Sequence, residues 1–194
     1  MREQPPRVVY LHGFNSSPAS HKARLVVEYC NANQIACAVP ALSHDPVLAM
    51  KTAQSCVMEQ GGAATLLIGS SLGGYYATWL AEKFKLKAAL VNPAVSPCDH
   101  VNAEFLGHHH NYYSGEEYEF TPQHVEALRM FDVRIITDPK RYLLSVQTGD
   151  EVLDYRLAVE RYAGCEQIVQ QCGNHSFENF AALLPLIMKF AGQK

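Results

Sequence analysis

The sequence predicts an α/β fold of three layers, built on a doubly wound, mostly parallel sheet of six strands. Short runs rich in β-branched and aliphatic residues alternate along the chain with segments whose apolar residues recur at helical spacing. Some of the helical segments also begin with a capping residue followed by proline, a common start of a helix. Alternating strands and helices form right-handed crossovers, which place helices on both faces of a parallel sheet.

The first half of the chain carries three strands, each followed by a helix. The first helix is predicted to begin at Pro18, after the capping residues of the preceding loop, and the second at Pro46, after Asp45. The predicted strands span residues 7–11, 35–39 and 64–70, and the predicted helices span residues 18–33, residues 46–60 up to the Gly61-Gly62 pair, and residues 72–84.

The second half repeats the pattern but contains a long interruption. The segment 94–141 is too long for an ordinary connection, and it is rich in polar, aromatic and histidine residues. We expect it to form a cap-like insertion with a helix at 122–131. We expect Pro185 to kink or break the last helix. The predicted strands span residues 87–92, 142–147 and 167–170, and the predicted helices span residues 154–162 and the segment from Phe177 onward.

Composition limits the classes of function. A chain of 194 residues with 48% apolar residues is long enough for one core, so we expect one domain over residues 1–194. The net charge of −3 with interspersed signs does not favour a nucleic acid or an anionic membrane as partner. No signal peptide or membrane span is evident, and six irregularly spaced cysteines are typical of reduced thiols, so we expect a cytoplasmic protein. Its oligomeric state stays open.

A Gly-x-Ser-x-Gly pentapeptide joins the third predicted strand to the helix after it. This is the pattern of a nucleophile elbow, with Ser71 at the apex of a sharp turn. Such a turn needs neighbours without side-chain bulk, which Gly69 and Gly73 supply. The alternative is an ordinary turn serine.

An acid and a base follow later strands in the order expected for an α/β-hydrolase. Asp150 comes directly after the fifth strand, and His175 lies between the last strand and the last helix. Catalytic groups of such sheets lie beyond the carboxyl ends of strands, so these residues are candidates for a triad with Ser71. Asp154 is a competing acid that better fits a helix cap, Asp99 is a more distant one, and His175 could instead be a structural histidine at a helix start.

Backbone donors for an oxyanion are expected at two places. One is the N–H of Leu72, directly after the nucleophile, and the other is the N–H of Phe14, in the loop after the first strand. His12 in that loop is interpreted as a bracing residue, with a general base as the alternative.

Other signals are weaker. His108-His109-His110 with His100 could bind a metal, yet no recognised zinc spacing accompanies them, so a solvated loop is the preferred interpretation. Tyr75, Tyr76 and Trp79 either line an acyl pocket or pack within the core and against the insertion. No cofactor and no resident metal are expected.

Six motifs together resemble those of the YqiA-like small bacterial esterases of the α/β-hydrolase superfamily. The resemblance implies a reduced α/β-hydrolase fold without the first antiparallel strands, and a serine esterase triad at Ser71, Asp150 and His175. Ser96 departs from an expected arginine, and Asn174 from an expected aspartate. The motifs are His12-Gly13-Phe14, Gly69-Ser70-Ser71-Leu72-Gly73-Gly74, Asn92-Pro93-Ala94, Tyr113-Ser114-Gly115-Glu116, Gln147-Thr148-Gly149-Asp150-Glu151-Val152-Leu153-Asp154-Tyr155 and Asn174-His175-Ser176-Phe177.

The expected function is therefore a serine carboxylesterase that acts on a small-molecule acyl ester through an acyl-enzyme. The insertion is expected to form the acyl pocket. The alternatives are an acyl-CoA thioesterase or an acyltransferase using the same site, and a non-catalytic binding protein that keeps the hydrolase fold.

Overall fold

A six-stranded parallel sheet organises the protein, as predicted. The computed structural model describes residues 7–59, 65–100, 105–111 and 113–192. The described strands are β1 (Arg7–Leu11), β2 (Cys37–Ala38), β3 (Thr65–Ser70), β4 (Lys87–Val91), β5 (Gly107–His110), β6 (Glu117–Phe120), β7 (Tyr142–Gln147) and β8 (Glu166–Gln170). The sheet has the strand order β2-β1-β3-β4-β7-β8, and each neighbouring pair is parallel.

Helices cover both faces of this sheet. The described α-helices are α1 (His21–Ala32), α2 (Pro46–Glu59), α3 (Leu72–Phe84), α4 (Pro97–His100), α5 (Pro122–Arg129), α6 (Tyr155–Arg161) and α7 (Phe180–Ala191). One apolar cluster joins α2, α3, α5 and α6 to one face, and a second cluster joins α1 and α7 to the other. Alternate residues of β1 enter the two clusters, because successive side chains of a strand point to opposite faces.

Several predicted bounds were wrong. The first helix begins at His21, because Pro18 and Ala19 form a turn, and the second strand is reduced to two residues. The last helix begins at Phe180 and not at Phe177, since Phe177 has a positive φ of 64° and leaves the helical region. The predicted end of α2 at Gly61-Gly62 lies outside the described residues.

Pro185 was expected to kink or break the last helix, and the break does not occur, because the helix continues through Pro185. The exposed Pro185 lies opposite the side that packs into the core, and that side holds the helix together across the missing N–H. The buried residues are Phe180, Leu183, Leu184, Ile187 and Met188.

The insertion holds more regular structure than predicted. The helix α5 forms, although it ends at Arg129, and the short α4 and a β5–β6 hairpin were not predicted. In β6, Tyr118 and Phe120 are buried while Glu117 and Glu119 are exposed, a period-two pattern that predicts a strand. The partner strand β5 contains three consecutive histidines, so its sequence does not show this period-two pattern.

Two predictions from composition can be compared with the structure. All six cysteines are free thiols. Within the described residues, no helix combines the length and the apolar character needed to cross a membrane.

Candidate active site

Ser71 is held at a sharp turn between β3 and α3. Its backbone has φ 56° and ψ −125°, a conformation that costs a non-glycine residue on the order of 1–3 kcal/mol. The surroundings fix this turn, because the Ser71 N–H donates to Val91 O at 3.1 Å and the Ser71 carbonyl accepts from the amides of Gly74 and Ala94. The strained turn presents the hydroxyl at the carboxyl end of the sheet.

The two glycines that flank Ser71 have no room for a side chain. A Cβ atom on Gly69 would lie 2.4 Å from the carbonyl oxygen of Gly73. A Cβ atom on Gly73 would lie 2.0 Å from the carbonyl oxygen of Leu11, in the neighbouring strand. The close approach of α3 to β1 and β3 therefore requires glycine at both positions, as the sequence predicted.

The structure brings Ser71, His175 and Asp150 into one chain of hydrogen-bonding contacts. His175 Nε2 lies 3.1 Å from Ser71 Oγ. On the other side of the ring, His175 Nδ1 lies 2.9 Å from both carboxylate oxygens of Asp150. A carboxylate only accepts hydrogen bonds, so Nδ1 carries the proton, and Nε2 is left to accept from the serine hydroxyl. This is the tautomer that a general base needs.

Asp150 is buried but well supplied with donors. Its side chain is 1% exposed, while that of His175 is 21% exposed. Burial raises the pKa of Asp150, but hydrogen bonds from His175 and from the amides of Leu153 and Val152 outweigh burial and leave the pKa below its usual value. Asp150 is thus held as a carboxylate facing the imidazole.

The competing acids have other partners. Asp154 caps α6 through the Arg156 N–H at 3.0 Å, and its carboxylate also pairs with the Arg156 guanidinium. Asp99 pairs with Arg129 at 2.9 Å and with Arg134 at 2.8 Å. Among the three aspartates, the geometry places only Asp150 against His175.

The two expected oxyanion donors belong to segments that adjoin Ser71. Leu72 is the first residue of α3, where an N–H has no acceptor within the helix. Gly13, next to Phe14, approaches the nucleophile so closely that a Cβ atom there would lie 3.1 Å from Ser71 Cβ. The Phe14 ring packs edge-on against His109 and Phe120 of the insertion hairpin, which fixes the loop.

His12 braces that loop. Its Nε2 accepts from the Leu42 N–H at 3.1 Å, which requires the proton to be on Nδ1, 3.0 Å from the Gly13 carbonyl oxygen. Burial lowers the pKa of His12, although the contact with Gly13 opposes this. Both ring nitrogens are occupied, so the geometry favours the bracing role over that of a base.

A match to a family model shows which protein family the chain belongs to. The model of the uncharacterised protein family UPF0227 matches residues 7–192. The chain belongs to this family. A UPF0227 protein of Serratia proteamaculans is 27% identical over 188 residues, which cover 94% of this chain and 97% of that protein.

Solved structures show which fold the UPF0227 chain has. Alpha/beta hydrolase domain-containing protein 10 from mouse superposes with a TM-score of 0.73 at 16% identity, over 99% of this chain and 90% of its own. Carboxylesterase CesB from Bacillus subtilis superposes with a TM-score of 0.61 at 14% identity, over 99% of this chain and 86% of its own. At these identities the likeness shows the α/β-hydrolase fold alone.

In the UPF0227 chain, Asn92 holds the histidine loop, a role the sequence analysis missed. Asn92 is buried at the end of β4, and its Nδ2 donates to the carbonyl oxygens of Asn174 at 3.0 Å and His175 at 3.1 Å. Its Oδ1 accepts from the Gln147 N–H at 3.0 Å. The polar residues Asn92 and Gln147, at the ends of β4 and β7, were the feature of the sequence that could have indicated this role.

Gln147 and Lys22 add to this support. Gln147 Oε1 accepts from the amides of Asn174 and Glu178, at 3.1 and 2.8 Å. Lys22, near the start of α1, donates from Nζ to the carbonyl oxygen of Ser176 at 3.1 Å. No sequence pattern indicated Lys22, because its contact spans more than 150 residues.

Ser96 and Asn174, the two residues that depart from the pattern of the resembled family, both have hydrogen-bond partners in the structure. Ser96 Oγ donates to Asp132 Oδ1 at 3.0 Å, and the Arg161 guanidinium reaches Ser96 Oγ at 3.2 Å. An arginine from α6 thus lies beside the position where an arginine was expected. Asn174 Nδ2 donates to Glu178 Oε1 at 3.1 Å.

A cluster of possible metal ligands lies in the insertion. Cys98, Asp99 and Asp132 present ligand atoms within 4.8 Å of one another. The guanidinium of Arg134 pairs with both carboxylates, and Arg129 also pairs with Asp99. These arginines already neutralise the carboxylates, so we assign no metal role to the cluster. The solvated loop preferred for His108, His109 and His110 is wrong, because these residues lie in β5, where the His109 ring packs against Tyr118 of the hairpin.

Proposed function

We propose that the chain is a serine hydrolase that cleaves carboxylic esters through Ser71, His175 and Asp150. The observation that carries the proposal is the chain of contacts from Ser71 Oγ through His175 to the buried Asp150, with 3.1 Å and 2.9 Å between the atoms. The strained turn at Ser71 and the glycines around it support the same function. The fold shared with a carboxylesterase agrees with it.

The first half of the reaction forms an acyl-enzyme. Ser71 Oγ attacks the carbonyl carbon of the ester while its proton passes to His175 Nε2, and the ester oxygen takes up the negative charge. The N–H groups of Phe14 and Leu72 stabilise that oxyanion, an effect that is typically about 10²–10³ in rate for one donor. His175 then gives the proton to the alcohol as the carbon–oxygen bond to the alcohol breaks.

The second half regenerates the enzyme. Water attacks the acyl carbon, its proton passes to His175 Nε2, and the bond from the carbon to Ser71 Oγ breaks. His175 returns the proton to Ser71 as the acid leaves. Asp150 stabilises the imidazolium in both halves and keeps the ring in the required orientation.

Hydrolysis of a panel of nitrophenyl esters and acyl thioesters tests this proposal. We expect the wild type to hydrolyse at least one class, and Ser71→Ala to lose about 10³-fold or more in kcat, since the nucleophile is gone. Ser70→Ala is the matched control, because Ser70 precedes the nucleophile and its side chain is buried in β3. Hydrolysis by Ser71→Ala at the wild-type rate, or by neither protein, would contradict the proposal; the second result favours a binding protein.

A further inference from the structure

The loop that carries the expected oxyanion donor Phe14 lies beyond the last residue of β1. That strand ends at Leu11, and within the described residues no backbone–backbone hydrogen bond involves residues 13–16. The position of this loop therefore depends on side chains and on the segments that it contacts. Precision is needed here, because a misplacement of about 1 Å in a catalytic geometry can cost about 10²-fold in rate.

The β5–β6 hairpin of the insertion contacts this loop through three side chains. Asn15 Nδ2 donates to the His110 carbonyl oxygen, at the end of β5, at 3.0 Å. In the opposite direction, Asn111 Nδ2 donates to the Ser16 carbonyl oxygen at 3.2 Å. The Phe14 ring packs edge-on against two aromatic rings of β6. The residue with the expected donor and the two residues after it are thus all joined to the hairpin.

Asn15 has a backbone conformation that few residues adopt. Its φ is 53°, in the left-handed region, which asparagine and glycine enter more readily than other residues. Its side chain at the same time supplies the N–H that bonds the hairpin. Asparagine therefore provides both the turn of the loop and its connection to the insertion.

The side chain of Asn111 is held in the orientation that its bond to the loop requires. Its Oδ1 accepts from the Tyr113 N–H at 2.9 Å and from the Ser114 N–H at 3.2 Å. Backbone N–H groups only donate, so this end of the amide is the oxygen, and the Nδ2 end faces Ser16. The residue is also 8% exposed, which limits its freedom to move.

The hairpin is itself packed on the body of the protein. Tyr118 and Phe120 of β6 belong to the apolar cluster that also contains residues of β1 and α3. The Tyr118 ring stacks on His44, in the loop before α2, with 4.1 Å between ring centroids. The hairpin is therefore a fixed support for the loop after β1.

We propose that Asn15 and Asn111 are positioning residues of the oxyanion site, through which the insertion hairpin holds the Phe14 N–H in place. The inference rests on the proposed esterase function. Both residues act through the loop, so removing either contact displaces the donor. The oxyanion forms only as the reaction proceeds, so this displacement lowers kcat and leaves KM almost unchanged.

Two substitutions remove one contact each. Asn15→Gly keeps a residue that accepts the positive φ, and it loses only the side chain that reaches His110. Asn111→Asp keeps the oxygen that accepts within the hairpin, and it loses the Nδ2 donor to Ser16. On the best ester of the panel, each variant should lower kcat by about tenfold, with KM within about twofold of the wild type. If one variant fails to fold, the other decides, because the two contacts are separate.

Asn33→Gly is the matched control. It also removes a bond from an asparagine side chain to a carbonyl oxygen, that of Tyr29 at 2.8 Å, but at the end of α1. We expect this variant to keep wild-type kcat. A loss in Asn33→Gly equal to that in Asn15→Gly would show a general effect of such substitutions and overturn the positioning role.

Inhibition by an alkyl trifluoromethyl ketone gives a readout specific to the oxyanion. Ser71 Oγ adds to the ketone carbon, its proton passes to His175 Nε2, and the ketone oxygen becomes an oxyanion. We expect the inhibition constant to rise about tenfold in Asn15→Gly and in Asn111→Asp, in parallel with the loss in kcat/KM. In Asn33→Gly it should stay at the wild-type value.

The outcomes separate this inference from the function on which it rests. Wild-type kcat in both variants, or a loss confined to KM with an unchanged inhibition constant, would overturn the positioning role while the esterase function stands. A wild type that hydrolyses no ester of the panel and is not labelled at Ser71 by a fluorophosphonate would overturn both.

Discussion

At the scale of single residues, Asp150 combines burial with a full set of donors. Its carboxylate faces His175 Nδ1 at 2.9 Å and also accepts from the amides of Val152 and Leu153, each at 2.9 Å. Those two amides hold the side chain in place even without the histidine. An amide in its place would keep the shape but lose the charge that stabilises an imidazolium.

Asp150→Asn should therefore lower kcat by about 10²–10⁴. The control is Asp154→Asn, which keeps a helix-capping side chain and should retain wild-type kcat. Steady-state kinetics on the best ester of the panel, with circular dichroism to check folding, measures both. Loss of activity in Asp154→Asn with activity kept in Asp150→Asn would show that the acid is wrongly assigned.

The candidate triad could be predicted from the sequence, but the groups that support it could not. Ser71, Asp150 and His175 were predicted from their positions after strands and from their order in the chain. The bonds from Asn92 to the histidine loop join residues 82 and 83 positions apart. Such contacts depend on the final strand order and on side-chain orientation, and neither follows from local periodicity.

At the scale of elements, Lys22 connects α1 to the loop that carries His175. Its Nζ donates to the Ser176 carbonyl oxygen, and the residue is partly buried. Burial lowers the pKa of Lys22 to about 8, although the charge of Asp150 opposes this. An unfolded lysine titrates near about 10.4, so folding changes its protonation between these two values.

This difference predicts a pH dependence of stability. Between about pH 8 and about pH 10.4 the unfolded state binds more protons at Lys22 than the folded state, so this residue makes the free energy of unfolding rise with pH. Below about pH 8 both states are charged, and the cost of burying the charge is present in full. Urea unfolding from pH 7 to 10.5 should show that the difference, wild type minus Lys22→Met, increases over that window.

When the free energy of unfolding of Lys22→Met is subtracted from that of the wild type, the contributions of tyrosine and cysteine titrations cancel, because the two proteins share those residues. A difference that stays flat, or decreases as pH rises, would contradict the assignment of a lowered pKa to Lys22.

The helix α7 and the β5–β6 hairpin show where local sequence patterns fail to predict secondary structure. The apolar face of α7 predicted a helix correctly, but Pro185 wrongly predicted its interruption, because packing of that face outweighs the loss of one N–H. The β5–β6 hairpin was missed since its strands carry histidine and glutamate on their exposed side. Its apolar side then packs on Phe14, a contact that only the tertiary fold creates.

At the scale of the whole molecule, parallel strands explain why three distant residues meet. Ser71 follows β3, Asp150 follows β7 and His175 follows β8, and all three strands end at the same edge of the sheet. The alternation of strands and helices was sufficient to predict this meeting. A small cavity lined by Phe14, Leu42 and Tyr118, among others, was not predictable, because it forms where the insertion contacts the loops after β1 and β2.

The central claim is that Ser71 is an activated nucleophile, and labelling with a fluorophosphonate tests it most directly. Intact-mass spectrometry of the wild type and of Ser70→Ala should show one covalent adduct, which peptide mapping places on Ser71, whereas Ser71→Ala should stay unmodified. Equal labelling of Ser71→Ala, or an adduct on another residue of the wild type, would contradict the account.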